Sequence, residues 1–159
     1  MSIVFRVDSS RAIGSGHVMR CIRIAQLLKK RNVNCIFLCE NFPGNSIALI
    51  NQTGFKVLML SDGIKKNNLQ VNWEKDALQT AQILKNIEVR ILIVDHYNLD
   101  KKWEDYQRKF CKRIMVIDDL NDRQHSADIL LDQNLFPDMK KRYTNNLNSN
   151  CKKFIGLEY

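Results

Sequence analysis

No apolar run in this chain approaches the about 20 residues that a bilayer-crossing helix needs. The start also lacks the basic stretch, apolar segment and small-residue cleavage site of an export signal. Met1 leads directly into Ile3-Val4-Phe5-Arg6-Val7, a strand-like run, and a cytoplasmic protein is expected. Cysteine is sparse and scattered. The five residues Cys21, Cys35, Cys39, Cys111 and Cys151 are odd in number and form no paired framework, so they read as reduced thiols. No second Cys/His pair stands at ligand spacing from Cys35 and Cys39, and no metal or other cofactor is expected. There is no internal repeat, no low-complexity tract, and no RNP-like or helix-turn-helix pattern.

What is present fits an ordinary globular domain. The 159 residues are 45% hydrophobic and 26% charged, enough to bury a core without disulfides or metal. The net charge is +8, from 25 Lys and Arg against 17 Asp and Glu. These cations interleave with acids along the whole chain, which argues against nucleic acid. A basic domain also suits a small polyanion such as a nucleotide diphosphate.

Three runs of β-branched residues read as strands buried on both faces. Ile3 to Val7 ends at Asp8, residues 90–94 end at Asp95, and residues 113–117 end at Asp118 and Asp119. Residues 33–38, 55–58 and 129–131 read as further strands. Between them lie helical stripes. Val18, Cys21, Ile22, Ala25 and Leu28 mark a helix over residues 17–31, with Arg20, Arg23 and Lys30 on its opposite face. Residues 46–51 form a short helix candidate. Trp73, Ala77, Ala81 and Leu84 mark a long helix, and Trp103, Tyr106 and Phe110 another. Strands alternating with helices predict an α/β fold: a Rossmann-like parallel sheet with helices on both faces. Residues 61–72, with an Asp62-Gly63 turn, and residues 136–153, rich in Lys and Asn, read as irregular surface segments.

In an open parallel sheet, ligands bind outside the carboxyl ends of the strands. The three Asp-terminated strands therefore bring their following loops to one edge. The first loop carries Arg11 and then Gly14-Ser15-Gly16-His17 at a helix start. Glycine permits close backbone approach, and a helix start offers free N–H groups to an anion. Met19 stands where a dinucleotide fingerprint would have its third glycine, and no Gly-Lys-Ser/Thr follows, so neither a Rossmann dinucleotide motif nor a P-loop is present. No Gly-x-Ser-x-Gly elbow occurs. A tight strand-to-helix turn explains the loop equally well.

His17, in the first helical turn, is disfavoured as an imidazolium by the helix dipole, which suits a general base. A histidine that merely bonds its loop is the alternative. His96 and Tyr97 follow the central strand, where Tyr97 can bond a sugar or phosphate oxygen or simply cap the sheet. Asp8, Asp95, Asp118 and Asp119 are able to position substrate hydroxyls or the histidine, or to serve as turn residues. His125, in a polar loop, reads as solvated.

Arg6-Val7-Asp8-Ser9-Ser10, Ile13-Gly14-Ser15-Gly16-His17, and Arg20-Cys21 together resemble the opening of the pseudaminic-acid pathway UDP-sugar hydrolases. The resemblance continues through Val94-Asp95-His96-Tyr97 with Leu99-Asp100, then Ile117-Asp118-Asp119-Leu120. It runs on through Asp128-Ile129-Leu130-Leu131-Asp132-Gln133-Asn134 to Gly156-Leu157-Glu158-Tyr159. It implies hydrolysis of a UDP-linked diacetamido-trideoxyhexose to UDP and free sugar. It further implies a two-domain, glycosyltransferase-B-like fold with the active site between two Rossmann-like halves. By the same resemblance His17 is the catalytic residue, activating water, and Tyr97 assists. Asp8, Arg11, Gly14, Ser15, Gly16, His96 and Asp119 become substrate-binding candidates. Residues 1–153 would be the N-terminal catalytic domain. Residues 154–159 would begin the connection to a second, UDP-binding domain absent from this chain, which alone is then expected to be inactive. A glycosyltransferase or sugar-nucleotide epimerase half, or a non-catalytic basic binding module, are the rival readings.

Overall fold

The computed structural model describes residues 1–61, 72–137, 139 and 141–159. Seven parallel strands form one sheet in the order β3-β2-β1-β4-β5-β6-β7. They are β1 Ser2–Val7, β2 Asn34–Cys39, β3 Lys56–Met59, β4 Val89–Asp95, β5 Cys111–Ile117, β6 Ile129–Asp132 and β7 Lys152–Ile155. Four helices join them: α1 Gly16–Lys29, α2 Ile47–Gln52, α3 Trp73–Leu84 and α4 Lys101–Gln107, the last continued by a 3₁₀ turn at Arg108–Phe110. Among the described residues no helix is long and apolar enough to cross a membrane.

The strand order reverses direction at β1, so the chain winds outward on each side of the β1/β4 pair. Alternation along β1 explains the two layers. Ile3, Phe5 and Val7 face α1 and α2, meeting Val18, Cys21, Ala25 and Ile50. Val4 faces α3 and α4, meeting Ala77, Leu84 and Trp103. Helices therefore cover both faces, as expected for a parallel sheet. The Phe5 and Phe37 rings stack at 4.8 Å across β1 and β2 and tie the first layer.

Three expectations need correction or extension. Residues 136–153 are not wholly a surface segment. Lys152 and Lys153 open β7, which pairs with β6 and carries the sheet across position 153 to Ile155, with Phe154 against the core. Within the same stretch Tyr143 is buried, and its hydroxyl bonds the carboxylates of Asp118 and Asp132 at 3.0 Å each. His125 is also buried rather than solvated. Its Nδ1 lies 2.6 Å from the Glu104 carboxylate of α4, a partner far away in sequence. The Asp62-Gly63 turn lies outside the described residues.

Candidate functional site

The carboxyl ends of β1 and β4 meet at the point where the strand order reverses. Such a crevice is the standard ligand position in doubly wound sheets. Asp8, Ile13, His17, Asp95, His96, Tyr97 and Asn98 line a cleft of about 50 Å³ there.

The loop after β1 is shaped by its own serines. Ser10 Oγ accepts the backbone N–H groups of Ala12 and Ile13, and Gly14 N–H donates to the Ser10 carbonyl at 2.8 Å. Closing this turn puts Gly14 at φ +82°, a conformation that favours glycine. Gly16 opens α1, and a side chain added there would meet nothing within 4 Å. Ser15 caps the helix by position only, without a side-chain bond, and no acid occupies the first turn. The first-turn amides thus have no side-chain cap of their own. Arg11 lies exposed in the same loop, its Cγ over Gly44 and its backbone N–H bonded to Pro43, with no carboxylate partner among the described residues.

His17 lines the cleft, nine-tenths buried. Its Nδ1 is 2.6 Å from Asp95 Oδ1. Asp95 is itself held ionised. Burial pushes its carboxyl up, but hydrogen bonds from Arg20 and His17 outweigh that and hold it below its ordinary value. An ionised carboxylate only accepts, so Nδ1 carries the hydrogen of this bond, and in the neutral ring Nε2 is the nitrogen with the lone pair. Among the described residues Nε2 has no hydrogen-bond partner. A histidine oriented by a carboxylate, with its second nitrogen open, is the arrangement of a general base.

Arg20 is the residue that sequence reasoning misplaced. It was expected on the face of α1 away from the apolar stripe. Its guanidinium instead folds over that stripe and grips Asp95, Nε to Oδ2 at 2.5 Å and Nη2 to Oδ1 at 2.6 Å. The available signal was its spacing: three residues beyond His17, it shares the histidine's side of the helix.

His96 and Asp8 lie lower. His96 Nδ1 accepts the Asn98 backbone N–H at 3.1 Å, so Nε2 carries the hydrogen and donates to Asp8 Oδ2 at 3.0 Å. Both ring nitrogens are committed. Asp8 also accepts a bidentate pair from Arg6, at 2.6 and 2.8 Å, and the Glu40 backbone N–H at 2.7 Å. Burial would raise the Asp8 carboxyl, but Arg6 and His96 hold it far below the usual carboxylate range. Arg6 is fully buried and reaches on to Asp76 of α3 at 2.6 Å, which also accepts the Trp103 indole N–H at 2.8 Å. The substrate-binding candidates His96 and Asp8 thus line the cleft with their polar atoms engaged by protein partners. Arg6 and Asp76 were not foreseen, although an arginine inside an apolar strand is a sign of a buried ion pair.

Tyr97 is the exposed member, 41% accessible, its ring edge-on to His17 at 4.6 Å. Burial and the neighbouring Asp119 carboxylate push its phenol up, so it stays protonated at neutral pH. Asp119 is half-buried, 3.8 Å from Arg20 Nη1 and 3.2 Å from Asn134 Nδ2. Asp118 turns away, towards Arg123 at 2.9 Å and Tyr143. Burial raises the Cys21 thiol well above its usual value and pushes Cys39 up to about 12, which disfavours the thiolate at both. Among the described residues no three His, Cys, Asp or Glu side chains group as metal ligands.

No family model matches the chain. It is 29% identical over 160 residues to an uncharacterised protein of Methanocaldococcus jannaschii, covering 100% of this chain and 30% of the relative. It is 27% identical over 137 residues to a Campylobacter jejuni protein named UDP-2,4-diacetamido-2,4,6-trideoxy-beta-L-altropyranose hydrolase, covering 86% of this chain and 43% of the relative. The chain thus spans less than half the length of each of these two relatives, and it is similar to a protein named as a UDP-sugar hydrolase.

Proposed function

We propose that this domain supplies the catalytic wall of a UDP-sugar hydrolase, with His17 as the base that activates water. The observation that carries the reading is the His17–Asp95 pair at 2.6 Å, with Nε2 open beside a cleft that has room for a water molecule. Nε2 takes a proton from that water as its oxygen attacks the anomeric carbon. The bond from that carbon to the diphosphate oxygen breaks, and UDP leaves with the electron pair. The proton then passes from His17 to solvent. Asp95 holds the tautomer and stabilises the imidazolium while it lasts. Tyr97, a protonated phenol beside the base, donates to a sugar or phosphate oxygen. The first-turn amides of α1 and Arg11, which makes no ion pair among the described residues, face the diphosphate.

The similarity to a protein named as such a hydrolase supports the substrate class, a UDP-linked diacetamido-trideoxyhexose. The remaining length of that relative leaves room for a second wall that holds the uridine. On this reading the isolated chain folds but turns over slowly, because orientation between two walls is worth several kcal/mol of barrier. The test is UDP release from the altropyranose substrate, followed by chromatography, with this chain assayed alone and with the C-terminal part of the Campylobacter jejuni relative supplied in trans. His17→Ala should lower turnover about 10²–10⁴-fold with little change in UDP affinity. Near-normal turnover in that variant would remove His17 from the mechanism. A transferred sugar or an epimer in place of free sugar would overturn the hydrolase reading.

A further inference from the structure

We infer that Arg20 is a positioning residue that sets the charge state of the His17–Asp95 pair, keeping His17 a neutral, outward-facing base. The inference rests on the reading of His17 as the base.

The geometry makes the case. Arg20 and His17 sit three residues apart on α1 and converge on one carboxylate. Asp95 Oδ1 lies 2.6 Å from His17 Nδ1 and 2.6 Å from Arg20 Nη2, so one oxygen serves both donors. The second oxygen takes Arg20 Nε at 2.5 Å, with the Cys21 thiol at 3.6 Å. The guanidinium also approaches His17 Nδ1 itself, at 3.1 Å. Asp95 is fully enclosed, and Arg20 is 23% exposed.

Charge counting shows what this does. With His17 neutral, the cluster of His17, Asp95 and Arg20 carries no net charge; a proton on His17 makes it +1. Without Arg20 the same two states carry −1 and zero, and the buried carboxylate would draw a proton onto His17. Arg20 therefore weakens the pull of Asp95 on a second proton while leaving its hydrogen bond to Nδ1 intact. The other groups facing His17 do not supply this. Tyr97 is a protonated phenol, and Cys21 a protonated thiol. Asp8 is neutralised by Arg6, and His96 has both nitrogens committed. Asp119, 3.8 Å from Arg20 Nη1, draws on the same cation and extends the arrangement to the carboxylate beside Tyr97.

The test needs no substrate. Imidazole nitrogen and carbon NMR shifts of His17 in this chain report its tautomer and its titration midpoint. Arg20→Gln should raise the midpoint by on the order of one pH unit, and Arg20→Lys, which keeps the charge but loses the fork, by less. A folded Arg20→Gln chain with an unmoved midpoint would overturn the inference. If Arg20→Gln does not fold, Arg20→Met carries the same comparison, and an unmoved midpoint there overturns it equally. In assays of UDP release the acid limb of the pH–rate profile should move up with the midpoint, and kcat should fall about 10-fold or more while KM changes less than about 3-fold. Loss of activity in His17→Ala with normal kcat and pH profile in Arg20→Gln would defeat this inference alone. Full activity in His17→Ala would instead defeat the base reading beneath it.

Discussion

The two edges of the sheet are built from opposite materials. At the carboxyl edge four arginines are answered by carboxylates. Arg6 is bound by Asp8 and Asp76, Arg20 by Asp95, Arg123 by Asp118, and Arg142 by Asp132. At the amino edge the cations stand exposed and make no ion pair among the described residues: Lys29, Lys30 and Arg31 after α1, Lys85 after α3, and Arg90, Lys112, Arg113, Lys152 and Lys153 at strand starts. The acids there are already taken, Glu88 by the chain start and Asp128 by Arg108. Exposed cations thus gather at the edge opposite the site.

The contrast predicts a steep difference in tolerance. Arg6→Leu should be the most damaging change outside the mechanism, because it leaves Asp8 and Asp76 buried without their cation. Breaking such a pair costs about 3–5 kcal/mol, read as a lowered melting temperature or an unfolded chain. A stable Arg6→Leu variant would show that the buried pairs hold the fold only weakly.

Acid should reach the same edge next. Asp8 and Asp95 both titrate below their ordinary value in the fold. Each then favours the folded state above the unfolded carboxyl value of about 3.9, and that contribution is lost as the pH falls through the lowered folded values. Melting temperature should drop steadily as the pH falls below about 4. In Asp8→Asn the starting stability should be lower and the acid slope shallower. An unchanged slope would mean that other groups govern acid unfolding.

At the amino edge the expected effects are smallest. Lys112→Gln and Arg90→Gln should each move stability by less than about 0.5 kcal/mol, and the pair together should raise it slightly at low salt by easing repulsion. A large loss from either would place an unrecognised partner at that edge.

The same contrast decides what could be read in advance. Strands β1, β4 and β5 were legible because parallel strands buried on both faces must be continuous β-branched runs. The loop of residues 9–16 was legible because a turn closed by Ser10 needs glycine at position 14. β7 was not, because an edge strand beginning Lys152-Lys153 is half solvated and carries no apolar run. His17 and Tyr97 announced themselves by position after strands. Arg20 did not, since helical periodicity treats any arginine as solvent-facing and cannot see a carboxylate 75 residues away in sequence. His125 hid for the same reason, its partner Glu104 lying on another element.

The chain of contacts from Trp103 through Asp76 and Arg6 to Asp8 and His96 joins four separate stretches of sequence by hydrogen bonds to buried carboxylates. No single replacement within it is neutral, so its members are expected to be inherited together or lost together. An arginine two residues before the aspartate of β1, an aspartate in the first turn of the third helix and a tryptophan at the third position of the fourth form a signature across elements. Such a signature can identify descendants of this domain after overall identity has fallen below what sequence comparison recognises.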